Sequence, residues 1–244
     1  MILFGLTVMN FFMEMKMSKA IKLLISGFEA SGKSTMSSKI ADALVINFDG
    51  KTYNMPNTVS TDFKEYSGIA NLAEFINEKI RVYKEKLGEL PKFVILDTIT
   101  ALYAQIVSFN SKKYKGFEVF KANEADTLLL NDYLENILIA NGISVIVVAH
   151  AKFEETKNCY VIPAQGQFKD RGSWQSYVND SIFLDKTANK RNVYLKSLKF
   201  PARSTIYDLE NTQEEVFVPA SEYDINEHIE KLLNATENNN ITKI

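Results

Sequence analysis

The chain has 244 residues, a formal net charge of −2, 46% hydrophobic residues and 24% charged ones. This excludes a disordered or fibrous chain and a highly basic nucleic-acid coat, although a local basic patch is compatible with it. The length suits one α/β domain with a full core. The single cysteine, Cys159, cannot form an internal disulfide, which sets a reducing cytoplasm as the expected compartment.

Residues 1–13 are almost wholly apolar but too short to span a bilayer, and they lack the basic flank and cleavage site of a signal peptide. A misassigned start ahead of Met17-Ser18-Lys19, a segment packed on the core, and an arm anchored on a neighbouring subunit by Phe11 and Phe12 all fit. No membrane association is expected. Residues 1–17 are therefore set apart from a core over 18–220. The rest, 221–244, reads as a helix spaced on Ile225, Ile229, Leu232 and Leu233, followed by a polar, disordered tail.

The first core element is an apolar strand over 21–26. It leads into Gly27-Phe28-Glu29-Ala30-Ser31-Gly32-Lys33-Ser34-Thr35, which fits the phosphate-loop pattern G-x-x-x-x-G-K-[ST], and a helix over 33–43 follows. Strand, glycine loop and helix in that order turn backbone N–H groups onto a phosphate. Lys33 is expected to reach the β- and γ-phosphates from a solvent-facing position, and the Ser34 hydroxyl to ligate magnesium. A strand at 44–48 runs into Asp49, which fits either a general base for water or a turn aspartate before Gly50. A helix is expected over 67–87. The strand at 92–97 closes with Asp97, the form of the second NTPase motif, whose carboxylate holds magnesium. A helix over 122–141 precedes a strand at 143–149 that ends at His150, placed either to sense a γ-phosphate or as a satisfied strand-end histidine. A short helix at 172–178 and strands at 181–185 and 192–198 complete the pattern. Nearly continuous Val, Ile and Leu runs mark strands covered on both faces. Their alternation with helices predicts an α/β fold with a mostly parallel central sheet flanked by helices, ligand-binding at the strands' carboxyl ends.

Together these residues resemble the RecA-like recombinase superfamily of P-loop ATPases over roughly 18–210. Within it they look most like the short phage-encoded RecA-core proteins of single-strand annealing and recombination. The resemblance implies a DNA-dependent ATPase using ATP and Mg2+, with Lys33, Asp49, Asp97 and His150 as its catalytic residues. Asp49 stands where RecA carries Glu, and His150 where RecA carries Gln. It also implies two loops binding single-stranded DNA. The first spans 108–117, with Lys112, Lys113, Tyr114 and Lys115, and its basic and aromatic residues suit phosphate contact and base stacking. The second spans 151–173, with Lys152, Lys169 and Arg171. The segment 196–203 is similar to one whose basic residues reach the neighbouring subunit's nucleotide, which assigns Lys196, Lys199 and Arg203 a role in trans. A ring or filament of identical subunits follows, with a single-strand DNA-binding protein as a further partner and the host cytoplasm as the location of a phage product. Two other functions compete: a small-molecule kinase, disfavoured by the scattered Arg81, Arg171, Arg191 and Arg203, and a replication or packaging accessory that uses ATP as a switch.

Overall fold

The computed structural model describes residues 19–50, 58–163, 174–187, 190–207 and 214–238. Residues 1–17 and the end of the tail lie outside these.

Six strands run parallel: β1 (Lys22–Gly27), β2 (Ala43–Asn47), β3 (Val59–Asp62), β4 (Phe93–Asp97), β5 (Ser144–His150) and β8 (Asp180–Thr187). Their order across the sheet is β8-β1-β5-β4-β2-β3. Beyond β8 the sheet turns antiparallel through β9 (Lys190–Ser197), β10 (Ala202–Arg203) and β11 (Val216–Pro219). β6 (Lys152–Glu154) and β7 (Cys159–Val161) form a separate hairpin. The expected class, α/β with a mostly parallel sheet flanked by helices, is the one observed.

Alternation along the strands divides the core in two. Leu24, Leu44, Ile46, Leu96 and Val147 face α2 (Ile69–Leu87), α3 (Ile99–Lys113) and α4 (Phe117–Tyr133). Leu23, Ile25, Val45, Ile95 and Val148 face α1 (Lys33–Ser37) and α5 (Ile225–Asn238). Both faces are covered, which is why these strands read as unbroken apolar runs. α2 buries Leu72, Ile76, Ile80 and Tyr83, a stripe at helical spacing, and stops at Gly88, whose left-handed φ of 88° a side chain would resist. α5 seats Ile225, Ile229 and Leu232 in the second core. Its His228 lies 3.5 Å from Asp180, with both side chains buried, and Asp180 Oδ2 also accepts from the Ser204 hydroxyl and the Thr205 amide.

Three of the departures from expectation concern helices. The helix after the phosphate loop covers only 33–37, not 33–43, because the chain breaks into turns before β2. Of the helix expected over 172–178, the described residues 174–178 give a single 3-10 turn at Trp174–Ser176. The third is α3, which occupies 99–113, where no helix was assigned and where half of the first DNA loop was expected. The reason is a buried amide pair. The Asn110 side chain donates to Asn123 Oδ1 at 3.0 Å and to Asp126 Oδ2 at 2.9 Å, which pins α3 to α4. Both asparagines are buried, so the segment cannot open without exposing unpaired polar groups to the core.

Candidate functional site

The cleft at the carboxyl edge of the sheet has a volume of about 350 Å³. Its lining includes residues 29–35, Asn47, Asp49, Asp97, Thr98, His150 and Arg191. The topology brings them together. β1, β5, β4 and β2 are neighbours, in register at Gly27↔His150, Asp97↔Val148 and Asn47↔Asp97, so their ends share one edge.

The phosphate loop has a distinctive backbone. Ala30 has φ 56° and Gly32 has φ 97°, two left-handed residues separated by one, a pattern that turns successive N–H groups into a concavity suited to an anion. For Ala30 this conformation is strained and must be held by its surroundings. Gly27 is fixed by close approach instead. A Cβ there would lie 2.5 Å from the Leu184 carbonyl oxygen and 2.6 Å from Ser31 Oγ.

Lys33 corrects the expectation of a solvent-facing lysine. It is 5% exposed, and its ammonium donates to the Phe28 carbonyl at 2.6 Å and to the Gly27 carbonyl at 3.3 Å. The stem is packed against the loop it serves, and the charge is spread over loop carbonyls. It lies at the cleft wall, where a phosphate oxygen could take their place.

Asp97 is the last residue of β4 and is 2% exposed. The peptide joining it to Thr98 is cis. Thr98 caps α3 by accepting from the Ala101 amide, so strand end and helix start are locked together. Asp49 is not the strand's last residue. β2 ends at Asn47, and Asp49 stands two residues on, its amide donating to Asn47 Oδ1 at 3.3 Å while the Asn47 amide donates to Asp62 at 2.7 Å. Asn47 thus sets the turn that presents Asp49 to the cleft. His150 ends β5, half-buried, at the same edge.

Ser34 and Asp97 meet in this cleft as hard oxygen donors. One hydroxyl and one carboxylate fit magnesium, which keeps its other positions for water and phosphate. Among the described residues there is no cluster of three or more His, Cys, Asp or Glu able to hold a metal.

The expected DNA-binding residues are scattered differently. Lys112 and Lys113 lie on the last turn of α3, not in a loop, and Tyr114 caps the helix, leaving only a short link through Lys115 to α4. Lys113 lies over the rings of Phe109 and Tyr114. Lys112 borders a second groove with Lys64, Tyr66, Gln105 and Phe109. There burial, then the nearby Asp126, pushes the Tyr66 phenol above its ordinary value. Lys152 begins the β6–β7 hairpin, so the start of the second loop is folded. Tyr160 of that hairpin packs on Phe28 of the phosphate loop, with ring centroids 4.8 Å apart, and stacks on Phe200 at 5.4 Å. Lys169 and Arg171 lie outside the described residues. Lys196, Lys199 and Arg203 occupy the β9–β10 hairpin, and none of the three lines the cleft of its own subunit.

Sequence reasoning missed Asn47, Thr98 and Arg191 as cleft residues. The first two flank predicted acids and were within reach of a reading of strand ends. Arg191 was not, because its position depends on the pairing of β8 with β9.

No helix among the described residues is long and apolar enough to cross a membrane. The chain matches no protein-family model and no curated protein. Among solved structures it is similar to the flagellar accessory protein FlaH from Methanocaldococcus jannaschii, at 14% identity and a TM-score of 0.45, over 87% of this chain and 92% of that one. A likeness this distant decides nothing about this chain, and the reading of the site rests on its own residues.

Proposed function

We propose that this protein is an ATP-binding, magnesium-dependent ATPase of RecA-like type that binds single-stranded DNA in phage-type recombination or annealing. One observation carries the nucleotide part. A phosphate loop with left-handed Ala30 and Gly32 faces the same cleft as Lys33, Ser34 and Asp97. ATP supplies the scissile phosphoanhydride, and Ser34 and Asp97 would hold its magnesium. Loop N–H groups and Lys33 bind and orient the phosphates. Asp49 takes a proton from the attacking water, and His150 donates a hydrogen bond to the terminal phosphate.

The DNA part is supported by the basic end of α3. Lys112, Lys113 and Lys115 are exposed beside Phe117, 84% exposed, and Phe120, 66% exposed, which offers charge for a backbone and rings for bases. Lys196, Lys199 and Arg203 do not line their own cleft, and in a ring or filament they would face a neighbouring subunit's nucleotide. The test is anisotropy of a labelled single strand, with and without magnesium and a non-hydrolysable ATP analogue. Tighter binding with nucleotide supports the reading. Nucleotide binding with no DNA binding in any condition returns the protein to the kinase or accessory class.

A further inference from the structure

Arg191 is a basic cleft residue that the proposed chemistry leaves unused. Its place follows from strand register. Gly27, the first residue of the phosphate loop, pairs with Leu184 of β8. β8 continues to Thr187, and β9 returns with Arg191 opposite Lys186. At about 3.3 Å per residue, Arg191 stands roughly 7 Å beyond Gly27, on a hairpin that overhangs the loop. On the loop's other flank β5 ends with His150 level with Gly27. The loop is thus bracketed by a histidine and an arginine.

Among the described residues of the hairpin, none claims that guanidinium. The cross-strand neighbour of Arg191 is a second cation, Lys186, and among the described residues no acid forms an ion pair with Arg191. The residue is exposed and lines the cleft. The other cation there, Lys33, is a single ammonium engaged with the loop carbonyls. A planar guanidinium offers two parallel donors to one phosphate, which an ammonium does not.

We propose that Arg191 is a phosphate-binding residue acting in cis, gripping the terminal phosphate of a nucleoside triphosphate bound to its own subunit and so separating triphosphate from diphosphate. This rests on the nucleotide reading above and adds to it a residue distinct from the basic side chains assigned in trans.

The full-length chain with magnesium is titrated calorimetrically with a non-hydrolysable ATP analogue and with ADP, as wild type, Arg191→Ala, Arg191→Lys and Lys33→Ala. Arg191→Ala is expected to weaken analogue binding about ten-fold or more and ADP binding less than about three-fold, at an unchanged melting temperature. Arg191→Lys should fall between, keeping the charge and losing the fork. Mixing Arg191→Ala with Lys33→Ala should give no more turnover than the two apart, and recovery on mixing would overturn action in cis. Wild-type affinities in Arg191→Ala, with Lys33→Ala unable to bind, would overturn the role of Arg191 and leave the nucleotide site standing. Failure of the wild type to bind either nucleotide would overturn the site itself.

Discussion

The buried position of Lys33 makes one substitution informative about both stability and binding. Lys33→Met keeps the stem's bulk and removes the ammonium. In the free protein that ammonium makes a short bond to the Phe28 carbonyl and a longer one to Gly27. Hydrogen bonds to charged groups contribute about 1.5–3 kcal/mol, and burying the charge offsets part of this, leaving a net loss of about 1–2 kcal/mol. In a chain of this length each kcal/mol moves the melting temperature by about 2–4 °C, so the free variant should melt about 2–8 °C lower. Nucleotide gives a second reading. At a concentration about 100 times its dissociation constant, a ligand stabilises the wild type by about 2.7 kcal/mol, or roughly 5–11 °C. Lys33→Met should show almost none of that gain. Melting is followed by circular dichroism with and without magnesium and a non-hydrolysable ATP analogue. A variant that melts with the wild type when free refutes the structural role of the ammonium. One that gains the full nucleotide shift refutes its phosphate contact.

Three further outcomes follow from the same geometry. Gly27→Ala places a methyl 2.5 Å from the backbone oxygen of Leu184, which cannot rotate away, so the variant should lose about 1–3 kcal/mol and bind nucleotide more weakly in melting and calorimetric assays. Asp49→Asn should lower turnover with nucleotide affinity nearly intact, because a general base acts mainly in the transition state. Normal phosphate release by that variant would reduce Asp49 to a turn residue. Replacing Lys112, Lys113 and Lys115 together by alanine should reduce the log–log salt slope of single-strand binding by about 0.7 per lost phosphate contact. An unchanged slope moves DNA binding away from the end of α3.

The central strands β1, β2, β4 and β5 were legible because each is covered on both faces. Phe93 to Leu96 and Val145 to Val148 read as unbroken apolar runs, and Ile21 to Ile25 as a run broken only by Lys22, for the same reason that their apolar residues are buried. β3 was not legible. Its Val59-Ser60-Thr61-Asp62 is mostly exposed at the sheet edge and carries no apolar signal. α3 was hidden differently. Its sequence from Ser108 to Lys113 is polar and basic, as a loop would be. What holds this end of the helix in place is Asn110, buried against Asn123 and Asp126 thirteen and sixteen residues away, which local pattern does not report.

The site divides along the same line. The phosphate loop and Asp97 are encoded contiguously, strand then turn, so spacing alone finds them. Lys33 belongs to that motif, yet its burial depends on the fold of the loop's own carbonyls, and a motif names the residue without saying what it touches before nucleotide arrives. Arg191 has neither motif nor neighbouring signal. It lies 158 positions after Lys33 by the sequence numbering and reaches the cleft because β8 pairs with β1 and β9 turns back along β8. Shifting that hairpin by one residue would exchange its two faces and turn Arg191 away from the cleft. The residues that hold β9 in place, Val193 and Leu195 in the core beside α5, therefore matter to the phosphates as well as to the fold. A cleft built this way can acquire a cation from any strand that overhangs it, which is why Arg191, unlike Lys33, had to be read from pairing rather than from sequence.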